Sequence, residues 1–484
     1  MTPTPAEADR PNIIFITTDQ QRFDTIAALG AGHLLTPHMD WLVDTGVTYT
    51  RAYADAPICV PARATMITGR QYLNMPEGCG YFGQPTTDRP RETLPAILTE
   101  HGYQTKSVGK LHYEPVRTNY GWEHTEILAD YYWEMEKRGG CGVPMDHGLG
   151  QNEMQPAIST VDESDSLTRW IIDRSARFLE TRDETRPFCL HVGFSKPHPP
   201  FDPCRNFWEL YAGISQPDPV FGDWSQNVAD IPPGFLYPTW NLNGVDRLSP
   251  EVIRACRRAY AALITQIDYS LGILFARMRE LNVMDNTVIV FCSDHGEMLG
   301  DHHMGAKTVY LEGSAHVPMI MRLPDSLSEH RRLRGHRCDS LATHADIMPT
   351  LLNLAGVPGD RHPPMDGIDL LAMAQGKVDR DQLIAGFNEF YAVIEKRYKY
   401  LTCTCGGELM FDLAHDPMER SECIRSGNYA SEHKRLSTLL RHDIEGRNLP
   451  LPGSCEAKSR KETRSHFAQP GFQHRNYTRR DVLH

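Results

Sequence analysis

Residues 58–70, ICVPARATMITGR, place a cysteine, a proline and an arginine at a spacing that could carry chemistry. Proline is tolerated in the first turn of an α-helix but not in its interior, so Pro61 predicts that a helix begins near Cys59. Cys59 and Arg63 are four residues apart and therefore share one face of that helix. A helix N-terminus attracts negative charge, and a guanidinium adds bidentate hydrogen bonds to an oxyanion. The segment therefore predicts an oxyanion-binding site at the start of a helix.

Two other interpretations of this cysteine remain open from the segment alone. Cys59 could be a buried structural cysteine, with Arg63 in an ion pair at the surface. It could also be a thiolate nucleophile, whose reactivity would depend on a lowered pKa.

The elements that must position these residues follow from the alternation of short β-rich apolar runs with longer helical patterns. Apolar composition predicts strands over 12–19, 104–110, 188–198 and 287–296. Helical spacing predicts one helix over 166–180 and a second from Ser249-Pro250 to about Leu281, with serine as N-cap and proline in the first turn. This order is typical of an α/β fold with a central sheet flanked by helices. The stretch 195–250, rich in proline and glycine, is predicted to be an irregular insertion that walls a site.

Polar groups follow each predicted strand at its carboxyl end, where ligands bind in open α/β sheets. A polar loop after a single strand would be unremarkable, but four such ends are hard to attribute to chance. The residues in question are Asp19 and Gln20, Lys110 and His112, Lys196 and His198, and Asp294 and His295.

The residue types at these strand ends predict a divalent cation. Two carboxylates, an amide oxygen and an imidazole suit Ca²⁺, Mg²⁺ or Mn²⁺, whereas zinc would require more histidine or cysteine. The lysines and histidines would then face an anionic group held on the metal.

Composition limits the class of protein. The chain of 484 residues has a formal net charge of −12, which argues against general nucleic-acid binding. The N-terminal residues lack the basic and apolar regions of a secretory signal, and we find no apolar run of the roughly 20 residues that a membrane span needs. The twelve cysteines are scattered without a zinc-module spacing. We expect a cytoplasmic protein with reduced thiols and no membrane partner.

The α/β pattern of the sequence ends near residue 379. In 392–417 apolar and polar residues alternate as in antiparallel hairpins around Gly406-Gly407, and 430–444 have the pattern of one amphipathic helix. We predict a catalytic α/β domain over 1–378, a smaller C-terminal α+β domain over 379–450, and an extended tail over 451–484. The tail is interpreted as a possible arm of a homo-oligomer, a dimer or a tetramer.

Taken together, these motifs resemble a known family. Cys59-Val60-Pro61-Ala62-Arg63 with Thr68-Gly69-Arg70 is similar to the C-x-P-x-R…T-G-R signature of type I sulfatases in the alkaline phosphatase superfamily. Further motifs occur in the family's order over residues 10–420. They are TTDQQ, GKLH at 109–112, KPHPPF at 196–201, SDHGEMLGDH at 293–302, Lys307, and EGSAHVPMIM at 312–321.

The resemblance implies an alkaline-phosphatase-like fold, with a mixed, largely parallel central sheet and a smaller C-terminal domain. It implies that a formylglycine-generating enzyme oxidises Cys59 to formylglycine, whose aldehyde hydrates to a gem-diol. It also implies one divalent metal, with Ca²⁺ favoured and Mn²⁺ or Mg²⁺ as alternatives. The implied metal ligands are Asp19, Gln20, Asp294, His295 and the modified Cys59.

The family's mechanism implies a role for each site residue. One hydroxyl of the gem-diol would attack sulfur, and Asp294 would accept its proton. Lys307 and His198 would stabilise and protonate the leaving oxygen, and His112 would take the proton from the second hydroxyl so that sulfate is eliminated. The residues implied to orient formylglycine and the sulfuryl oxygens are Arg63 and Lys110.

The predicted function is hydrolysis of an aryl or alkyl sulfate monoester, with promiscuity toward phosphonate monoesters and phosphodiesters. The pairs Asp19-Gln20 and Asp294-His295 resemble the cytoplasmic branch that contains choline sulfatases and phosphonate monoester hydrolases, so both activities remain alternatives. Lys110 and His112 together argue against a pure phosphonate hydrolase. A non-catalytic binding protein would require damaged catalytic positions, and the matched positions are intact. An aromatic cage for choline could come from Trp122, Trp133, Trp208, Trp224 or Trp240.

Overall fold

The computed structural model describes residues 10–138, 147–236 and 245–455. An eight-stranded sheet has the strand order β4-β3-β5-β1-β6-β7-β2-β8. Strand β7 runs antiparallel to both of its neighbours, and the other pairings are parallel. The predicted α/β class with a mixed, largely parallel sheet is therefore confirmed. The strands are β1 (Asn12–Asp19), β2 (Val47–Tyr53), β3 (Gln104–Gly109), β4 (His124–Ile127), β5 (Phe188–Pro197), β6 (Thr287–Ser293), β7 (Met319–Arg322) and β8 (His336–Thr343).

Helices cover both faces of this sheet, because the central strands are apolar on both sides. In β1, Ile14 and Ile16 face one core with α1, α5 and α7, while Ile13 and Phe15 face a second core with α2, α3 and α9. The helices are α1 (Pro37–Thr45), α2 (Cys59–Thr68), α3 (Leu94–Glu100), α4 (Leu128–Arg138), α5 (Leu167–Thr181), α6 (Arg205–Leu210), α7 (Pro250–Glu280), α8 (Glu312–Ala315), α9 (Ile347–Leu354), α10 (Leu370–Ala374) and α11 (Ala430–Gly446).

The longest helix, α7, begins where the sequence predicts. The Ser249 side chain accepts a hydrogen bond from the Val252 amide at 3.4 Å, and Pro250 occupies the first turn. By length and composition α7 could cross a bilayer, although no apolar run of that length was expected from the sequence. Its most apolar window is, however, 78% buried within the fold, so its apolar surface is already covered by the protein core.

A second, antiparallel sheet with the order β12-β11-β10-β9 lies in the predicted C-terminal region. One face of this sheet, which includes Phe411, packs in a hydrophobic cluster with Tyr53 of β2 and with Tyr310. Helix α11 covers the other face. Residues 456–484 lie outside the described residues, so the tail remains a prediction, as do the proposed domain boundaries. The strands are β9 (Gln382–Phe387), β10 (Phe390–Glu395), β11 (Tyr398–Cys403) and β12 (Glu408–Asp412).

Candidate active site

The carboxyl ends of β1 and β6 bring two acidic residues together. The strands are parallel neighbours, with Thr18 paired to Ser293, so Asp19 and Asp294 emerge side by side. Asp294 Oδ1 accepts hydrogen bonds from the backbone amides of Gln20 at 3.0 Å and His295 at 2.9 Å. The hydrogen bond from Gln20 joins the two strand ends, and the one from His295 fixes the Asp294 carboxylate on its own segment.

Cys59 is the first residue of α2, as the proline spacing predicts, and it points at these strand ends. Its Sγ lies 3.2 Å from His295 Nε2 and 3.8 Å from Asp19 Oδ1. Potential ligand atoms of Asp19, Cys59, Asp294 and His295 all lie within 4.8 Å of one another, and all four residues are buried. The structure thus brings together the predicted cysteine and three of the predicted metal ligands.

Positive groups surround the sulfur. Lys307 Nζ lies 3.6 Å from Cys59 Sγ. Burial alone would raise the pKa of the Cys59 thiol, but Lys307, Lys110 and His295 hold that pKa well below its ordinary value. A group that carries negative charge at this position is therefore strongly stabilised.

Arg63, one turn into α2, joins the two carboxylates. Its Nε donates to Asp294 Oδ2 at 2.9 Å, and a terminal nitrogen lies 3.4 Å from Asp19 Oδ2. Its other terminal nitrogen donates to the Lys110 carbonyl at 2.6 Å. Lys110 Nζ in turn lies 2.5 Å from Asp19 Oδ2. The surface ion pair considered for Arg63 is wrong, because its side chain is buried and bonds to groups of the site itself.

The two predicted catalytic histidines border the same space. His198 Nδ1 pairs with the Pro199 carbonyl at 2.8 Å, which leaves Nε2 for the site. Burial, with Lys307 and Lys110 nearby, lowers the pKa of His198 to about 4, so the resting imidazole is neutral. His112 adopts a left-handed backbone with φ of 53°, and its buried Nδ1 has no hydrogen-bond partner among the described residues. Each imidazole thus has a ring nitrogen that no described residue occupies: Nε2 in His198 and Nδ1 in His112.

The donor set fits a divalent cation. Asp294 is buried beside Asp19, and both burial and that neighbouring charge raise the pKa of Asp294 against the opposing effect of His295 and Arg63. A cation between the two carboxylates would relieve this repulsion. The Gln20 amide oxygen faces Lys307 at 2.6 Å and could serve as a further oxygen ligand. Oxidation of Cys59 to an oxygen-bearing group would leave a set dominated by oxygen, as Ca²⁺, Mg²⁺ and Mn²⁺ prefer.

A cavity of about 130 Å³ adjoins the site. Lys110, His112 and His198 line it on the side of the strand ends. Tyr131 and Tyr132 of α4 belong to its remaining wall, which is largely apolar and aromatic. The cavity therefore offers space for an organic group next to the residues that face the cysteine.

Comparison with known proteins decides the family. A family model described as Sulfatase matches residues 11–357, and a second, described as N-sulphoglucosamine sulphohydrolase, C-terminal, matches residues 300–445. The chain belongs to the sulfatase family. The resemblance drawn from the sequence motifs is therefore confirmed, and with it the class of sulfuric ester hydrolase.

The proteins that are similar to this chain differ in the activity that their names give. An arylsulfatase of Clostridium perfringens is 28% identical over 471 residues, covering 90% of this chain and 95% of the relative. A choline-sulfatase of Rhizobium meliloti is 29% identical over 435 residues, covering 85% and 81%. Among solved structures, the phosphonate monoester hydrolase of Agrobacterium radiobacter superposes with a TM-score of 0.78 at 24% identity, covering 91% and 96%. That likeness shows the fold of this sulfatase and leaves its substrate open.

Sequence reasoning missed other residues that build the site. Glu297 accepts a hydrogen bond from the Gln20 side chain. The Tyr260 hydroxyl of α7 donates to the Gln20 carbonyl at 2.5 Å. Phe82, 39% exposed, packs its ring 5.6 Å from the His112 ring. Glu297 could have been suspected, since it lies two residues after His295, but Tyr260 and Phe82 lie in segments with no such signal.

Proposed function

We propose that this sulfatase hydrolyses a sulfate monoester of an aryl or alkyl alcohol, with formylglycine derived from Cys59 and one divalent cation, Ca²⁺ by preference. The observation that carries the proposal is the buried cysteine at the start of α2, within 4.8 Å of Asp19, Asp294 and His295. A structural cysteine would not need convergent carboxylates and lysines around it. A thiolate nucleophile would not need the adjacent pair of metal-ligand carboxylates.

The charges of the site support an anionic substrate. The site contains three cationic side chains, those of Arg63, Lys110 and Lys307. Its two carboxylates, Asp19 and Asp294, would coordinate the metal. The bound cation would supply positive charge that neutralises the oxygens of the sulfuryl group, and the hydrated aldehyde would supply the nucleophilic hydroxyl. Lys110 and Lys307 would hold the ester's oxygens, and Arg63 would keep Asp19 and Asp294 in place.

Proton transfer falls to the two histidines and Lys307. Since the pKa of His198 is lowered to about 4 chiefly by burial and the neighbouring lysines, a bound anion opposing those lysines would raise it again. His198 would then carry a proton at Nε2 for the leaving oxygen, together with Lys307. His112, with an unpartnered Nδ1 among the described residues, would accept a proton when the inorganic product departs.

The cavity beside the site supports an uncharged leaving group. Its one described carboxylate, Asp202, is already paired with Lys196 and lies 3.2 Å from His147 Nε2. Of the tryptophans considered for a choline cage, four are described and do not line it: Trp122, Trp133, Trp208 and Trp224. Trp240 lies outside the described residues. Among the described lining residues a quaternary ammonium would find no unpaired carboxylate, so we favour uncharged aryl or alkyl alcohols over choline.

The proposal includes the partners expected from the sequence. The substrate is a small sulfate ester, and a formylglycine-generating enzyme must modify Cys59. A cytoplasmic location and a homo-oligomer, in which residues 451–484 act as an arm, belong to the same proposal. Deleting that tail should change the oligomer mass or KM, and no change in either would refute the arm.

The test is a comparison of kcat/KM for the sulfate monoester and the phosphonate monoester of the same phenol, measured on metal-loaded, formylglycine-bearing protein. Because the leaving group is identical, the ratio reports discrimination at the sulfur or phosphorus centre. We expect the sulfate to be preferred. A ratio that strongly favours the phosphonate would replace this proposal with a phosphonate monoester hydrolase. A Cys59→Ala variant, assayed in parallel, controls for contaminating activity.

A further inference from the structure

The side-chain amide of Gln20 is held in one orientation by two charged neighbours. Its Oε1 accepts from Lys307 Nζ at 2.6 Å, and its Nε2 donates to a carboxylate oxygen of Glu297. An ammonium can only donate and an ionised carboxylate can only accept, so these partners define which end of the amide is oxygen. The oxygen end therefore faces the sulfur side of the site and the NH₂ end faces away from it.

Glu297 is itself rigidly held. It is buried, with 1% of its surface exposed, and it lies in the turn after β6. Its Oε1 accepts from the backbone amides of Leu299 at 2.9 Å and Ala306 at 2.5 Å. Its Oε2 is left for Gln20. One oxygen thus anchors the carboxylate to the loop that carries Lys307, and the other faces the Gln20 amide.

We propose that Glu297 is a positioning residue that directs the Gln20 amide oxygen toward the metal position and thereby sets the affinity of the site for its cation. The proposal rests on the metal site of the proposed function. A carboxylate ligand offers an oxygen whichever way it is turned, but an amide offers oxygen in only one of two orientations. A glutamine ligand therefore requires a partner that excludes the wrong orientation, and Glu297 is placed to be that partner.

The backbone of Gln20 adds to this arrangement. Gln20 has a left-handed conformation with φ of 71°, which is uncommon outside glycine and concentrates at functional sites. The Tyr260 hydroxyl donates to its carbonyl at 2.5 Å and accepts from the Arg22 amide at 3.0 Å. Tyr260 thus fixes the main chain of Gln20, and Lys307 and Glu297 hold its side-chain amide. The motion left to Gln20 is an exchange of its amide oxygen and nitrogen by rotation about the last side-chain bond.

A purely structural role for Glu297 makes a different prediction. Its bonds to the Leu299 and Ala306 amides would by themselves brace the loop, whatever the state of Gln20. The substitution Glu297→Gln separates the two roles, because a glutamine oxygen can still accept from both backbone amides. Its NH₂ group, however, would face the NH₂ group of Gln20 and favour the flipped amide, which would turn nitrogen toward the metal and toward Lys307.

The experiment measures the binding of Ca²⁺ and of Mn²⁺ by titration calorimetry on metal-stripped, full-length protein without substrate. We expect E297Q to weaken binding by about 10–100-fold, the usual cost of losing an outer partner of a metal ligand. The double variant Q20E/E297Q reverses the polarity of the hydrogen bond, since the amide introduced at position 297 donates to the carboxylate introduced at position 20. It should bind at least as tightly as wild type. Glu419→Gln, a buried glutamate paired with Lys399, is the matched control and should leave the affinity unchanged.

The outcomes separate this inference from the proposed function. If wild type binds no divalent cation, the metal site itself is wrong. If wild type binds and E297Q binds within about twofold of it, or the double variant binds no better than E297Q, the positioning role is refuted. Melting curves of the metal-free variants are recorded in parallel. Loss of folding in both E297Q and the double variant would assign Glu297 to loop stability alone and overturn the inference, whereas recovery of folding and binding in the double variant would support it.

Discussion

Two ionic clusters lie close to each other in this sulfatase, and they differ in how their charges are balanced. In the structural ion cluster, formed by Arg22, Asp24, Arg257 and Asp301, Arg22 contacts Asp24 through two nitrogens at 2.7 Å and Asp301 through a third at 2.7 Å. Arg257 adds a second contact to Asp301 at 2.5 Å. Despite burial, the two guanidinium groups hold the pKa of Asp301 well below its ordinary range. This cluster is complete in itself.

The cluster of the candidate active site, formed by Asp19, Cys59, Asp294 and His295, is not complete in the same way. Asp19 and Asp294 lie side by side, and burial together with the charge of Asp19 raises the pKa of Asp294. Arg63 contacts both carboxylates and Lys110 contacts Asp19, yet the pKa of Asp294 stays raised, whereas that of Asp301 is lowered. Two carboxylates that are buried side by side repel each other and lower the stability of the fold unless a bound cation neutralises them. The difference supports the proposal that one cluster stabilises the fold while the other binds a cation and an anionic substrate.

The strongest way to break this comparison is a matched pair of substitutions, Asp294→Asn and Asp301→Asn. Losing a metal ligand should lower kcat/KM by at least about a thousandfold, comparable to removing a main electrostatic contribution. Metal-free D294N should be at least as stable as wild type, because the repulsion from Asp19 is gone. D301N should lose about 3–5 kcal/mol of unfolding free energy, since it breaks a buried ionic cluster.

The matched pair is measured by steady-state kinetics, urea unfolding and the metal-induced rise in Tm. D294N should lose the rise in Tm, whereas folded D301N should keep both that rise and its kcat. The reverse pattern, with D294N destabilised and D301N inactive while folded, would show that the two clusters have been assigned the wrong way round.

A smaller effect tests the role of the lysine beside the sulfur. Lys307→Ala should lower kcat/KM by about 10²–10⁴-fold, the range for losing a group that assists proton transfer. The loss should be larger for an alkyl sulfate than for 4-nitrophenyl sulfate, because a poor leaving group depends more on protonation. Lys106→Ala, on β3 and paired with Glu126, is the control and should change kcat/KM by less than about threefold. An equal loss for both substrates would exclude leaving-group assistance by Lys307.

The smallest expected effect concerns a buried histidine that belongs to neither cluster. His191 of β5 lies between Ser107 Oγ at 2.8 Å and Thr17 Oγ1 at 2.9 Å, and burial lowers its pKa from 6.5 to about 3. The unfolded chain takes up this proton below pH 6.5 and the folded chain does not. Stability is therefore fully present above pH 6.5 and falls by about 1.4 kcal/mol per pH unit as the pH drops toward 3.

Urea unfolding at pH 7.5 and pH 5.5 measures this contribution. The difference in unfolding free energy between the two values should be smaller in His191→Gln than in wild type by about 1 kcal/mol. An identical difference in both proteins would mean that the buried imidazole is already charged in the folded state.

The positions of the principal site residues could be predicted from the sequence because strand ends and helix starts are local features. The apolar run of β1 followed by Asp19, and Pro61 inside the first turn of α2, are such features, and both lie where predicted. Half of the large sheet was not predicted, since β2 and β8 carry polar residues within them and β7 is only four residues long. Lys307 came from family resemblance and not from any periodicity.

Contacts between distant segments could not be predicted. The hydrogen bond from Gln20 to Glu297 joins residues 277 positions apart, and the contact from Tyr260 to Gln20 spans 240. The contacts of Arg63 could also not be predicted. The sequence indicated that Arg63 binds an oxyanion of the substrate, whereas in the structure its guanidinium contacts the carboxylates of Asp294 and Asp19. Orientation of a polar group is decided by its partners, and these become visible only in the folded chain.

The measurement that tests the central claim most directly relates turnover to the state of Cys59. Samples made with and without a formylglycine-generating enzyme are mixed in known proportions, and peptide mass spectrometry gives the fraction of Cys59 converted. We predict that kcat for 4-nitrophenyl sulfate rises in proportion to that fraction and extrapolates to zero for the unconverted thiol. Full activity of the thiol form, or of a Cys59→Ala variant, would contradict the account.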